Sequence, residues 1–206
     1  MITSETGKPK EDLNDQIIQA ARKLFQTYGL HKVTMDDIGK LIGKHRSSLY
    51  YYYKSKEEVF DAVKHAEINE VITDIVKKTA SAPEIEKKIY AFCEVLLSIS
   101  QKKRSIYTML DVEIGDVELS AYATIKQSLH KRFTEKQESL LHSILNEGIA
   151  GGQLPPTDEN SLLNLVFILI SSLHGLRREM SIVNDFSRIT AIAKILSEMI
   201  LHQLRK

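Results

Sequence analysis

The chain has 206 residues, a net charge of +1 and 43% hydrophobic residues, enough for a sizeable core in one large domain or two small ones. Near-neutral charge excludes a generally basic, histone-like binder, so any nucleic-acid contact must be local. The single cysteine, Cys93, excludes an internal disulfide and a cysteine-rich metal site, and suits a reduced, cytoplasmic setting.

The polar stretch Met1–Lys10 lacks an apolar signal core. The most apolar run, Leu162–Leu173, includes Asn164 and two serines and is too short to cross a bilayer. A soluble protein with no membrane partner is expected. Nine glycines and four prolines interrupt the chain, apolar residues recur at helical spacing, and strand-like alternation is absent, so the predicted fold is all-α.

A first helix is predicted over about Leu13–Tyr28, with Ile17, Ala20, Ala21, Leu24 and Phe25 on one stripe and Gly29 as an αL cap. Thr34 followed by Asp37 forms a capping-box variant, opening a second helix through Leu41. Gly43 breaks it, and His45–Tyr53 makes a third helix. Two short helices around a Gly-containing turn, preceded by a packing helix, form a helix-turn-helix pattern. Ser55, with Glu57 and Glu58 behind it, caps a fourth helix to about Thr79. Pro83-Glu84 starts a fifth at its N1 position, extending to about Lys103. A short helix is expected over Ser105–Ile114 and a long one over Val117–Ala150, closed by Gly151-Gly152. The last two are predicted over about Asp158–Met180 and Asp185–Leu204.

From Ile38 to Lys56 there are five Lys/Arg residues and His45, with no Asp or Glu. Within this run stand four consecutive tyrosines, Tyr50–Tyr53. Successive helix residues are spread about 100° around the axis, so these rings cannot all enter one core. Cations interleaved with hydroxyl donors on a short helix suit a phosphate backbone. A solvated basic face is the bland alternative, and it leaves the coincidence of cap, turn glycine and aromatic spacing unexplained.

The segment Ile17–Val59 resembles the N-terminal domain of the TetR family of bacterial transcriptional regulators. The matching residues are Ile17, Ala20, Ala21, Leu24, Phe25, Gly29, Thr34, Asp37, Ile38 and Gly43, followed by Leu49-Tyr50-Tyr51-Tyr52-Tyr53-Lys54-Ser55-Lys56-Glu57-Glu58. The rest of the chain agrees in helix count and in the turn Glu147–Leu154. The resemblance implies a DNA-binding helix-turn-helix domain over residues 12–56. It implies a larger helical domain over 57–206 for effector binding and dimerisation, with double-stranded operator DNA, a second copy of the chain and a small molecule as partners. A dimeric repressor released by its effector is the function this implies. An effector-independent regulator gated by a protein, and a helical enzyme or scaffold that has lost DNA binding, are the alternatives.

Position by position, the resemblance puts His45, Arg46, Ser47 and Ser48 at the exposed start of the recognition helix. Arg46 is the candidate base reader, because a guanidinium bonds bidentately to guanine. Tyr50, Tyr51 and Tyr52 fall on positions that bond phosphate or touch thymine methyls, and Lys56 on a phosphate-anchoring lysine. Thr34 caps a helix whose amides face another phosphate, while Leu49 and Tyr53 fall on core positions. Two departures stand out: Tyr53 replaces a residue without a hydroxyl, and Lys44 stands where an apolar residue is usual.

In the larger domain, Phe92, Cys93 and Leu96, Tyr107 and Leu110, and Tyr122, Leu129 and Phe133 are expected to line a pocket for an apolar or aromatic ligand. The broadly apolar last two helices imply a dimer interface through Leu163, Val166, Phe167, Ile170, Ile192, Leu196, Met199 and Ile200. The chain has no HExxH, P-loop or GxSxG motif, so no catalytic residue, cofactor or metal is expected. His130 with Glu135 and His142 with Glu147 read as surface-helix pairs, and Cys93 as a small buried hydrophobe.

Overall fold

The computed structural model describes residues 12–102 and 119–206, and all regular structure among them is α-helical. The helices are α1 (Leu13–Tyr28), α2 (Met35–Leu41), α3 (Arg46–Tyr50), α4 (Lys56–Ala80), α5 (Ile85–Lys102), α6 (Leu119–Ala150), α7 (Glu159–Val183) and α8 (Ile189–Leu204). The short helix predicted over Ser105–Ile114, with Tyr107 and Leu110, lies outside the described residues. They form two compact units, Met1–Ala66 and Glu67–Lys206.

The first unit is built on the α1 stripe, where Ile17, Ala20, Ala21 and Phe25 are buried. Its core continues past Lys56 because Val59, Phe60 and Val63 of α4 are buried too. Phe60 meets Phe25 edge-on, with ring centroids 5.7 Å apart. Gly29 closes α1 by donating its N–H to Phe25 O at 3.0 Å. Its φ of 79° and ψ of 158° lie outside the αL region expected there, in a corner of backbone space essentially reserved for glycine.

The third helix is shorter than the predicted His45–Tyr53. His45 is its extended N-cap, and helical geometry ends at Tyr50. Beyond it, Tyr52 N–H and Tyr53 N–H both turn back to Leu49 O at 2.9 Å. α4 opens with a reciprocal cap: Ser55 Oγ accepts from Glu58 N–H at 3.3 Å, while Glu58 Oε2 accepts from Lys54 N–H at 2.7 Å.

In the second unit α5 is central, packed against α6, α7 and α8. Ile85, Ile89, Phe92, Cys93, Leu96 and Leu97 are buried along it. It begins at Ile85 rather than at Pro83, and the Ile85 N–H donates to Gln153 Oε1 at 2.7 Å. The glycine-rich turn therefore both ends α6 and caps α5. Gly148 is required there, since a Cβ would lie 2.9 Å from Ile85 Cγ1.

α7 outruns its predicted end because Asn184, in the left-handed region at φ 52° and ψ 36°, stops it only after Val183. α8 starts later than predicted. Asp185 Oδ1 accepts from Ser187 N–H at 2.9 Å and holds those residues in a turn. α7 as a whole is long and apolar enough to cross a membrane by length and composition alone, although its most apolar run, residues 162–173, is too short to do so. Leu162, Val166, Leu169, Ile170 and Leu173 of α7 are nevertheless buried in the protein.

Candidate nucleic-acid interface

The geometry of the interface begins at Thr34. Its Oγ1 accepts from Asp37 N–H at 3.2 Å, and Asp37 Oδ2 accepts from Thr34 N–H at 2.9 Å and from Thr34 Oγ1–H at 2.6 Å. The two hydrogen bonds from Thr34 hold the Asp37 carboxyl below its ordinary pKa. This box fixes where α2 starts, so the angle of the following turn is set from its first residue.

The turn itself depends on a glycine that sequence reasoning passed over. Gly39, inside α2, accepts from Lys44 N–H at 2.9 Å. A Cβ there would stand 2.7 Å from Lys44 O, a backbone atom with little freedom to retreat. Gly43, at φ 67°, takes the left-handed step that reverses the chain. The signal for Gly39 was present, since a glycine within a helix pattern marks close approach, but Gly43 offered the more obvious break. Lys44, in the usually apolar position, is exposed; the turn contributes its backbone, and the ammonium stays in water.

Leu49 is completely buried and anchors α3. Around it the remaining side chains turn outward: His45, Arg46 and Ser47 are exposed and Ser48 is half-buried. Tyr50, Tyr51 and Tyr52 are 48%, 86% and 39% exposed, a large aromatic area for a small domain to leave in water. Tyr51 and Tyr52 pack edge-to-face at 5.3 Å, so the pair projects as one rigid, hydroxyl-tipped block. Tyr53 turns the other way: its hydroxyl donates to Asn14 Oδ1 at 2.6 Å, and burial raises its pKa. The extra hydroxyl thereby ties the end of the recognition segment to the start of α1.

Arg46 Nη1 lies 3.7 Å from Asp36 Oδ2, with both side chains more than half exposed. At such exposure the pair is worth less than about 1 kcal/mol and leaves the guanidinium free to exchange partners. Lys56 Nζ donates to His31 O at 3.5 Å, which places its ammonium at the start of α4. Thr34, Lys44, His45, Arg46, Ser47, Ser48, Tyr50, Tyr51, Tyr52 and Lys56 all lie in the first unit. Their hydroxyls and cations surround two short helices, and this arrangement suits phosphate contacts with one long side chain for a base edge.

In the second unit Phe92, Cys93, Leu96, Leu129 and Phe133 are buried. Burial pushes the Cys93 thiol up to about 12, which disfavours the thiolate. The Tyr122 side chain, like Tyr107 and Leu110, lies outside the described residues. A cleft of about 290 Å³ opens between α4 and α5, lined by Val71, Asp74, Lys77, Lys78, Val95, Ser98 and Ile99; Phe92, Cys93, Leu96, Leu129 and Phe133 are not among its lining residues. The proposed dimer residues divide sharply. Leu163, Phe167 and Met199 are exposed, Ile192 and Leu196 half-buried, and Val166, Ile170 and Ile200 buried in the chain's own core. Ile168 and Ile195, on the same two apolar helices, are 55% and 54% exposed. His142 pairs with Glu159 of α7 at 3.0 Å rather than with Glu147, which takes Lys88 at 3.1 Å. Glu135 lies 3.8 Å from Lys131, not opposite His130.

A capped helix, a glycine-dependent turn and a short helix with a cationic, aromatic outer edge define a helix-turn-helix DNA-binding regulator. Residues 17–63 match the family model for bacterial regulatory proteins of the tetR family, and the resemblance to that family is supported by the relatives that follow. It is 25% identical to the transcriptional regulator QacR of Staphylococcus aureus over 86% of this chain and 96% of QacR. It is 22% identical to IcaR of Staphylococcus epidermidis, a negative transcriptional regulator of a biofilm operon, over 78% of this chain and 81% of IcaR. Its fold is shared with the regulator FadR of Bacillus subtilis in complex with stearoyl-CoA. That likeness has a TM-score of 0.63 and 18% identity, and covers 91% of this chain and 97% of FadR.

Proposed function

We propose that the chain is a homodimeric repressor that binds an operator through residues 12–56 and is released by a small apolar or aromatic effector bound within residues 57–206. The observation that carries the DNA-binding part is the outer edge of α3, where Arg46 and Tyr50–Tyr52 project from a helix anchored by buried Leu49. Repression is supported by the likeness to IcaR, and effector binding by the likeness to a regulator captured with stearoyl-CoA.

Self-association is supported by the apolar faces of α7 and α8. Leu163, Phe167 and Ile168, with Ile195 and Met199, are each 48–62% exposed, more than scattered surface residues account for. A two-fold dimer presents two α3 helices and demands a roughly palindromic operator. α4 runs unbroken from Lys56 to Ala80 and contributes to both units, so one helix carries a change in the second unit to the first. The effector acts by its differential affinity for the releasing conformation.

The test is a mobility shift on promoter fragments at several salt concentrations. Specific retardation that weakens steeply with salt, and is abolished by Arg46→Ala with Tyr51→Ala, is the expected result. Binding unaffected by these substitutions would remove α3 from the interface.

A further inference from the structure

Deep in the second unit, α6 and α7 bring together polar groups that packing does not require. Gln137 of α6 is completely buried. Its Oε1 lies 2.7 Å from His174 Nε2 of α7. A carbonyl oxygen can only accept, so His174 carries its proton on Nε2 and leaves Nδ1 as a bare acceptor. The other end of the amide, Gln137 Nε2, is buried with no hydrogen-bond partner among the described residues, and so is Thr134 Oγ1. Thr134 and Gln137 stand at i and i+3, on neighbouring positions of one helix face.

The setting is otherwise apolar. Leu129 and Phe133 are 2% and 7% exposed on the adjoining face of α6, and the Phe133 ring stacks on His174 at 6.3 Å and 15°. A buried N–H donor without an acceptor costs about 1–3 kcal/mol. A leucine or methionine in place of Gln137 would avoid that cost and fill the same space.

We infer that Gln137 Nε2 and Thr134 Oγ1 are the polar contacts of the effector site, reserved for a neutral acceptor oxygen such as a carbonyl on an apolar ligand held beside Leu129 and Phe133. This rests on the effector reading proposed above and deepens it by naming the ligand chemistry. His174 is the positioning residue: its Nε2–H occupies Gln137 Oε1 and so aims the amide nitrogen at the ligand. Burial, with Arg177 and His130 nearby, depresses His174 to about 4, so this side chain brings no charge to the site at neutral pH.

Two matched pairs of probes test the assignment on the full chain: benzophenone against diphenylmethane, and acetophenone against ethylbenzene. Within a pair the carbonyl is the main difference. Calorimetric titration of the wild-type protein is expected to show the ketone of at least one pair binding about tenfold more tightly than its hydrocarbon, the value of one hydrogen bond. Benzoate, an anion of similar size, is expected not to bind. In Gln137→Met the preference for the ketone disappears, and the unliganded variant melts above wild type; Thr134→Val weakens the preference in part. Equal binding within both pairs by the wild-type protein overturns the proposal and leaves the amide serving at most a buried water. So does a preference that survives Gln137→Met. Operator release, read separately by mobility shift, decides the effector reading. A ketone that binds through Gln137 without releasing DNA keeps the site and removes its regulatory role.

Discussion

Gly39→Ala probes the turn at its narrowest point. In a helix interior alanine is favoured over glycine by about 1 kcal/mol, so propensity alone predicts a more stable protein. The structure predicts the opposite. The new Cβ would lie 2.7 Å from Lys44 O, and the neighbour is backbone, so relief requires the α2–α3 turn to shift. Overpacking of this kind costs about 1–3 kcal/mol. The shift also strains the Lys44 N–H to Gly39 O bond, 2.9 Å long, worth about 1 kcal/mol. The net expectation is a loss of roughly 1–3 kcal/mol, or about 4–8 °C in Tm for each kcal/mol in a domain this small. Arg46 lies just beyond the displaced turn, so operator affinity should fall more than tenfold at 25 °C, where the variant remains folded. Circular-dichroism melts and a mobility shift measure the two effects. A variant that melts at or above wild type and binds the operator normally would refute the claim that the turn needs a missing side chain.

Arg46→Ala is expected to cost about 1–3 kcal/mol of operator binding and to relax preference at one position per half-site, whereas Lys56→Ala should weaken all sequences alike and lower the salt slope by about one unit; titrations at several salt concentrations separate the two. Tyr53→Phe removes the 2.6 Å bond to Asn14 and should lower stability by about 0.5–1.5 kcal/mol in denaturant melts. His174 has its pKa lowered from 6.5 to about 4 by burial. Above pH 6.5 neither state binds the proton; as pH falls from 6.5 towards 4 the unfolded chain takes it up and the folded chain does not, so stability drops, and His174→Gln should flatten this part of the pH–stability profile. Phe167→Glu, on the exposed face of α7, should give a monomeric mass by light scattering at micromolar concentration, with a circular-dichroism spectrum unchanged from wild type.

The first unit is legible in sequence because its determinants are local. A cap is two residues three apart, a turn needs a glycine, and an exposed aromatic run betrays itself by being too apolar for its face. Thr34 with Asp37, Gly43 and Leu49 were therefore read in their correct places. Failures there came from backbone conformation: nothing in Gly29 distinguishes a φ of 79° with ψ of 158° from the αL cap that glycine more often makes. Similarly, His45–Tyr53 has a helical composition, yet the chain leaves the helix at Tyr50, because the anchor at Leu49 gathers the next turn's amides onto its own carbonyl.

The second unit shows where local patterns stop. An apolar residue at helical spacing faces something apolar, but the pattern does not say whether that is its own chain or another. Val166, Phe167 and Ile170 look alike in sequence, yet two are buried in their own core and Phe167 is 62% exposed. The difference comes from α5, whose approach covers one side of α7, and no periodicity in α7 records which side α5 takes. Polar residues carry the complementary signal. Nothing in the sequence singles out Gln137, because a single glutamine at one register position means nothing until its neighbours are known. Once α7 supplies His174 to one end of the amide and nothing to the other, the same residue becomes an unanswered donor in an apolar interior. Packing partners explain the buried leucines; the unpartnered Gln137 donor is explained by no packing partner, and it is this contrast that the ketone and hydrocarbon probes test.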